Sequence, residues 1–318
     1  MWTQFIINPH SGRSEHRSLE SRIRREFSGL PFELQCTSGP GHATQLARSA
    51  SAAGARTVVA AGGDGIVNEV LNGITGTGAA LGIIPAGTAN DLARHLGISG
   101  DLSALRATVC GGHTVTVDAV EVNGRHFLTG GGTGLVCDAA QRANRLKSGR
   151  VRGHTSWPLT GGRLYLLAAL MALVSGERDP KPVSLQVDGR WTVADPLWIA
   201  VSNQPRLGRY FLVSPRARNN DGFFNVCVAQ NTGSRVNALG TLIRSLAGKH
   251  ERMEGVSVFR SREMTIRSSA PMGFMGDGEL LCTSAELRIR IRPSSVRVMV
   301  PAPQRGAARR PDGFRKRP

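Results

Sequence analysis

Three short loops carry the residues with the clearest chemistry. The first is Asn8-Pro9-His10-Ser11-Gly12. The second is Gly62-Gly63-Asp64-Gly65, followed by Asn68-Glu69. The third is Pro85-Ala86-Gly87-Thr88-Ala89-Asn90-Asp91. Glycines in the second loop let the backbone approach a phosphate with amide N–H groups pointing at it. A following helix adds its positive N-terminal end. A carboxylate among those glycines would repel a phosphate directly. Asp64 fits there if it holds a Mg²⁺, or a water on one, that bridges to the phosphates. Thr88 can donate a hydroxyl hydrogen bond to a phosphate or ribose, and Asn90 or Asp91 can cap the helix that follows. A lone G-G-D-G is equally a tight turn. Three such loops in order, each after a strand, point to a nucleotide-phosphate site centred on Gly62 to Gly65.

The elements that would position these loops alternate. Strand-like runs cover residues 5–7, 32–36, 57–61 and 81–84. Helical patterns cover 15–27, 43–53, 66–74 and 90–96, with apolar residues at 66, 67, 70, 71 and 74 forming one stripe. This order predicts an α/β unit with a doubly wound parallel sheet covered on both faces. Loops after its strands gather at the carboxyl edge, where ligands bind. From Thr114 the character changes. Short β-type runs at 114–122, 125–129, 183–187, 197–202, 223–229, 264–267, 287–291 and 296–300 are interrupted by helices near 161–175 and 234–248. They predict a second, mostly antiparallel unit. The expected division is 1–115 for nucleotide binding, 116–302 for the acceptor and a metal site, and 304–318 as a disordered basic tail.

Composition narrows the class. The 318 residues are enough for two ordinary cores. The five cysteines are far apart and form no C-x-x-C pair, which speaks against a metal cluster or a disulfide scaffold and fits a cytoplasmic setting. Residues 1–9 lack a basic start and an apolar core, so no signal peptide is read. The longest apolar run, 164–174, is shorter than the roughly 20 residues a spanning helix needs. The net charge of +17 suits a polyanionic partner, an anionic membrane or simply a solvated surface. Two Tyr and four Trp provide no interleaved stacking platform, so nucleic acid is not expected as a partner.

In combination these motifs resemble the diacylglycerol kinase catalytic domain family, which includes bacterial soluble diacylglycerol kinases and the sphingosine and ceramide kinases. The resemblance runs from Asn8 to about Val300. The G-G-D-G core is shared with NAD kinases and phosphofructokinases. Pro85-x-Gly87-Thr88-x-Asn90-Asp91 points to the lipid branch, as do Val201-Ser202-Asn203, Asp221-Gly222-Phe223 and Asp277-Gly278-Glu279. The resemblance implies an NAD kinase-like nucleotide domain, then a β-sandwich, with the chain's end near 300–303 returning to the first domain.

It also implies roles. Asn8, Pro9, His10, Ser11, Gly12, Thr37, Gly62, Gly63, Asp64, Gly65, Ile66, Val67, Asn68, Glu69, Gly87, Thr88 and Asn90 would line the ATP site. Glu279 would be the general base on a lipid hydroxyl, Asp277 would support it, and Asp64 would join the Mg²⁺ network. Asp221, with main-chain oxygens of Arg218 and Phe223, would hold a structural Mg²⁺. Two departures stand out. Ile66 sits where the family usually has Thr, and Gln204 to Tyr210 replaces a glycine-rich run.

The implied reaction is transfer of the γ-phosphate of ATP to diacylglycerol. The alternatives are sphingoid-base or ceramide phosphorylation, phosphatidylglycerol phosphorylation, NAD phosphorylation, and a weakly active nucleotide-binding regulator. The partner would be a lipid at an anionic membrane, reached peripherally through the basic residues of 141–154 and the tail. A homodimer is one assembly open to the chain.

Overall fold

The computed structural model describes residues 2–9, 16–147, 162–175, 182–208 and 210–302. Its first part alternates β1 (Trp2–Ile7), α1 (His16–Glu26), β2 (Phe32–Cys36), α2 (His42–Ala52), β3 (Ala55–Gly62), α3 (Asp64–Ile74) and β4 (Ala80–Pro85). The strands pair in parallel in the order β4-β3-β1-β2. Successive side chains of a strand point to opposite faces, and both faces are apolar here. Ile6, Val58 and Ala60 pack with Ala43 and Ala47 of α2 and Val70 and Leu71 of α3. Phe5, Ile7 and Val59 pack on the other side with Ile23 of α1 and Phe27 just after it. Two helices follow β4. They are α4 (Asp91–His95) and α5 (Leu102–Gly111). Sequence periodicity missed α5, whose apolar residues are spread around the helix and of which only Leu102 and Leu105 are buried. Its ends are nonetheless marked by the Asp101 side chain accepting from Ser103 N–H and by Gly112 at φ 67°.

The second part contains β5 (Thr114–Val122), β6 (Arg125–Phe127), β7 (Gly130–Gly134), α6 (Leu135–Lys147), α7 (Gly162–Ser175), β8 (Val183–Val187), β9 (Arg190–Ala194), β10 (Pro196–Ser202), β11 (Phe224–Gln230), α8 (Arg235–Ser245), a 3₁₀ turn at Lys249–Arg252, β12 (Val256–Ser261), β13 (Glu263–Gly276) and β14 (Glu279–Met299). Apart from the contact of β14 with β4, its strand pairs are antiparallel. Phe127, Phe224, Phe274 and Ile289 form its core.

Strand β14 holds the two parts together. The runs 287–291 and 296–300, expected as separate strands, are one strand with an irregularity between Arg292 and Val296. It starts at the hairpin with β13, runs along β5, and ends with Arg297 and Val298 beside Ala80 and Leu81 of β4. Among the described residues all fourteen strands therefore belong to one connected sheet.

Strand β7 has the sequence Gly-Gly-Gly-Thr-Gly, which no strand propensity would select. Packing selects it. A side chain at Gly131 would overlap the Met275 carbonyl of β13, and one at Gly132 would overlap the Ile199 carbonyl of β10. Residues 141–147, expected as part of a basic surface segment, continue helix α6. Residues 148–154 and the tail from 304 lie outside the described residues.

Gly131→Ala should cost roughly 1–3 kcal/mol, as overpacking does, because the neighbour that must move is backbone. Urea unfolding checks this; an unchanged midpoint would show that β7 does not sit in this slot.

Candidate active site

Because β1 to β4 are parallel, their carboxyl ends share one edge, and the predicted loops meet there. Asn8 follows β1, with its N–H donating to Ala61 O, and Thr37 follows β2, with its N–H donating to Ile7 O. Pro9 is next in the first loop; His10, Ser11 and Gly12 fall outside the described residues. The second and third loops touch backbone to backbone. A side chain at Gly87 would overlap the Gly63 Cα, so position 87 needs glycine; one at Gly63 would lie 3.3 Å from the Gly87 Cα, a tight contact. Gly62 ends β3, and Gly63 precedes the first turn of α3.

Asp64 occupies that first turn but does not point into solvent alone. Its Oδ2 accepts from Asn90 N–H at 2.9 Å and its Oδ1 from Asp91 N–H at 2.7 Å. It thus satisfies the start of α4 from a distance. The expectation that Asn90 or Asp91 caps its own helix is corrected. Asn90 has φ 48°, and its side chain folds back onto Gly87 N–H and O. Asp91 instead pairs with Arg94 and faces the cleft beside Asp64.

Other predicted contacts serve the site from behind. Ile66 and Val67 belong to the core under α3, so the missing hydroxyl at 66 lies at a packed position. Both carboxylate oxygens of Glu69 accept N–H bonds from Gly41 and Ala43 at the start of α2. Asn68 is buried, and its Nδ2 donates to Asp277 Oδ2 at 3.0 Å and to His126 O at 2.9 Å.

Asp277 and Gly278 form the β13–β14 turn, with φ of 52° and 83°. Two positive φ values between paired strands are the signature of a tight Asp-Gly hairpin. Most Asp-Gly turns lie in water, but this carboxylate is buried. Besides Asn68, it accepts from Leu128 N–H, Thr129 N–H at 2.8 Å and the Thr129 hydroxyl at 2.6 Å. The turn is thereby tied to α3, and Glu279 is delivered to the phosphate loop. A Cβ added to Gly65 would lie 2.8 Å from Glu279 Oε1.

A cavity of about 300 Å³ joins these groups. Gly63, Asp64, Thr88 and Asp91 line its polar part, with Asp277 and Glu279 beside them. The rest of its wall is apolar and includes Leu135, Ala139, Trp198, Leu207 and Phe211. Tyr165 of α7 also lines it. Sequence reasoning missed the contributions of α6 and β7 because neither element was recognised. It noted Asp91 as a helix cap and overlooked its place beside Asp64.

The acidic groups repel one another. Burial pushes the Asp91 carboxyl up to about 6; the Asp64 charge adds to this and Arg94 opposes it. Burial also raises Asp64, with the Asp91 and Asn90 amides pulling it back and Asp277 pushing it up. Among the described residues no three His, Cys, Asp or Glu side chains are placed to cage a metal. Crowded carboxylates at a phosphate loop do fit Mg²⁺, which keeps several waters and takes few protein oxygens.

The predicted metal turn differs. Asp221 Oδ1 accepts from Phe223 N–H, while Oδ2 pairs with Arg260 at 2.8 Å, and both Arg260 and Arg262 stack on the Phe223 ring. Asp118, buried nearby, accepts from Gly222 N–H and Ser294 N–H. It was not singled out in the sequence. The all-oxygen donor set at Asp221 suits Mg²⁺, but Arg260 competes for the carboxylate.

Comparison with known proteins fits this geometry. The diacylglycerol kinase catalytic domain matches residues 3–122, and the YegS C-terminal NAD kinase beta sandwich-like domain matches residues 132–300. A diacylglycerol kinase of Mycobacterium tuberculosis is 31% identical over 310 residues, covering 93% of this chain and 94% of its own. A diacylglycerol kinase of Bacillus subtilis is 27% identical over 286 residues, covering 87% and 89%. The crystal structure of a diacylglycerol kinase from Bacillus anthracis superposes with a TM-score of 0.69 at 20% identity, covering 94% of this chain and 96% of that one. At that identity the superposition shows the shared fold.

The carboxylate pair predicts a pH effect. A raised folded-state pKa means the folded protein binds the Asp91 proton more tightly than the unfolded chain. Stability from this group is therefore present below its ordinary value of 3.8 and is lost as pH rises through about 6. Asp91→Asn removes the penalty. Relative to the parent, its stability should improve between pH 4 and pH 8 by up to about 3 kcal/mol, read by urea unfolding at both pH values. A difference that does not change with pH would refute the Asp64–Asp91 repulsion.

Proposed function

The chain belongs to the diacylglycerol kinase catalytic domain family, and from that premise we propose that it transfers the γ-phosphate of ATP to a lipid hydroxyl, diacylglycerol first. The placement of Glu279 supports this best. It comes from the far end of the chain, lies against Gly65 of the phosphate loop, and borders the apolar part of the cavity. A hydroxyl on an apolar chain would be held at that junction.

In this reading the residues after β1 to β4 bind the triphosphate. Asn8, Thr37 and Thr88 provide polar contacts, and Gly63 and Gly65 leave the close approach open. Asn68, Glu69 and Asn90 brace the loops rather than touch the nucleotide. Glu279 accepts the proton of the lipid hydroxyl as the new O–Pγ bond forms and the bond to the ADP oxygen breaks. Asp277 holds the hairpin that aims Glu279. Asp64 and Asp91 would hold Mg²⁺ through oxygen and water, and that ion supplies charge neutralisation at the phosphates when bound. A second Mg²⁺ at Arg218, Asp221 and Phe223 is a separate proposal. An exposed ion pair is worth about 0–1 kcal/mol, so Arg260 is a displaceable competitor there.

Among the described residues no helix is long and apolar enough to cross a membrane. We place the protein in the cytoplasm, meeting its acceptor peripherally. A division at 115/116 remains a proposal; it falls within β5, whose partners are antiparallel from Thr114 onward.

Labelled ATP offered with diacylglycerol, sphingosine, ceramide, phosphatidylglycerol and NAD should label diacylglycerol first; labelling of NAD alone would refute the lipid reading. Glu279→Gln should lose about 10²–10⁴-fold in turnover, the range of general-base catalysis, with ATP affinity retained. Gly65→Ala should fold normally yet lose turnover, because its methyl displaces only the flexible Glu279 carboxylate. Full activity in both variants would remove Glu279 from the reaction.

A further inference from the structure

Helix α8 carries a row of apolar residues that the described structure leaves partly open. Val236 is 79% exposed, Leu239 36% and Ile243 53%. Their spacing of three and four puts them on one side of the helix. Ala238, Thr241, Leu242 and Ser245 fill the buried side. Single exposed apolar residues are ordinary; a row of them marks an interaction surface. Helix α7 packs against α8 and adds Met171 at 40% and Val174 at 69%.

The other flank of α8 borders a second, polar cavity, and the Arg244 guanidinium lies over Gly240 between the two. Arg244 of α8, Lys249 and Arg252 of the 3₁₀ turn, Asn237 and Thr241 line it, together with one acid, Glu254. Arg244 Nη1 contacts Met253 Sδ within this group. The neighbouring Glu251 is engaged by Arg216. An apolar ridge flanked by a cationic recess matches the two layers of an anionic bilayer. Apolar residues enter the headgroup–acyl boundary, and arginine and lysine meet the phosphates. The buried side of the same helix contributes Leu242 and Ser245 to the active-site cavity.

We propose that α8, with the Arg244–Lys249–Arg252 recess, docks this protein on anionic phospholipid bilayers. The ridge formed by Val236, Leu239 and Ile243 enters the interface, and the recess takes lipid phosphate. The acceptor then leaves the bilayer beside α8 and passes into the cavity that Leu242 lines. This docking rests on the lipid-kinase reading for its purpose, but its test is independent of turnover.

Vesicles of phosphatidylcholine alone, and of equal parts phosphatidylcholine and phosphatidylglycerol, are sedimented with the full chain without ATP. Binding should occur on the anionic vesicles and weaken with salt. Leu239→Ser with Ile243→Ser, and separately Arg244→Gln with Lys249→Gln, should each reduce it by roughly tenfold or more. Both double variants should phosphorylate a short-chain, monomeric diacylglycerol at the parent rate, which shows that they fold. Equal binding by parent and variants, or none by the parent, overturns the proposal. So does a solution dimer that the apolar substitutions break, since the face would then belong to a second copy. Vesicle binding without any kinase activity would refute the function and leave the docking face standing.

Discussion

A buried carboxylate at a hairpin turn holds the site together. Asp277 accepts from the Asn68 amide, two main-chain N–H groups and the Thr129 hydroxyl. Removing a partner from a buried polar group costs about 1–3 kcal/mol, and more when the group is charged, so the arrangement is strongly specified. Asn68 belongs to the helix that starts at the phosphate loop, and Asp277 belongs to the hairpin that carries Glu279. One set of hydrogen bonds therefore fixes the distance between the Gly62–Gly65 loop and Glu279. Phosphoryl transfer depends on such positioning more than on covalent help.

Close approach is the second constraint. Gly87 against Gly63 and Gly131 against Met275 are places where a β-carbon would overlap backbone that must stay close. They keep the loops after β3 and β4 in contact and β7 close against β13 within the one connected sheet. Inside the cavity, acidic groups accumulate without an equal number of bases. That imbalance holds the Asp64 and Asp91 carboxyls above their ordinary range and weakens the protein at neutral pH.

Much of this was legible in the sequence, and the gaps have physical causes. Strands β1, β3 and β4 are continuous apolar runs because both their faces are buried, and α2 and α3 each show a buried stripe; β2 is marked only by Phe32 and Leu34. The loops between them were readable because glycine, Asp64 and Thr88 have few reasons to recur after strands. Strand β7 was hidden because its glycines answer to neighbours distant in sequence. Helix α6 was hidden by its basic surface. Asp64 capping α4, and Glu69 capping α2, could not be read locally, since both join segments more than twenty residues apart. The resemblance identified Glu279, but only the fold shows why it reaches Gly65.

Strand β14 also orders events in time. It contributes to the centre of the connected sheet, yet its residues are made after every other strand. During synthesis the edge of β4 that receives Arg297 and Val298 stays unpaired until the ribosome has finished nearly three hundred residues. Contacts of such sequence separation fold slowly and leave open edges exposed meanwhile. The Gly62–Gly65 loop gains its Glu279 neighbour only once the last strand has been made.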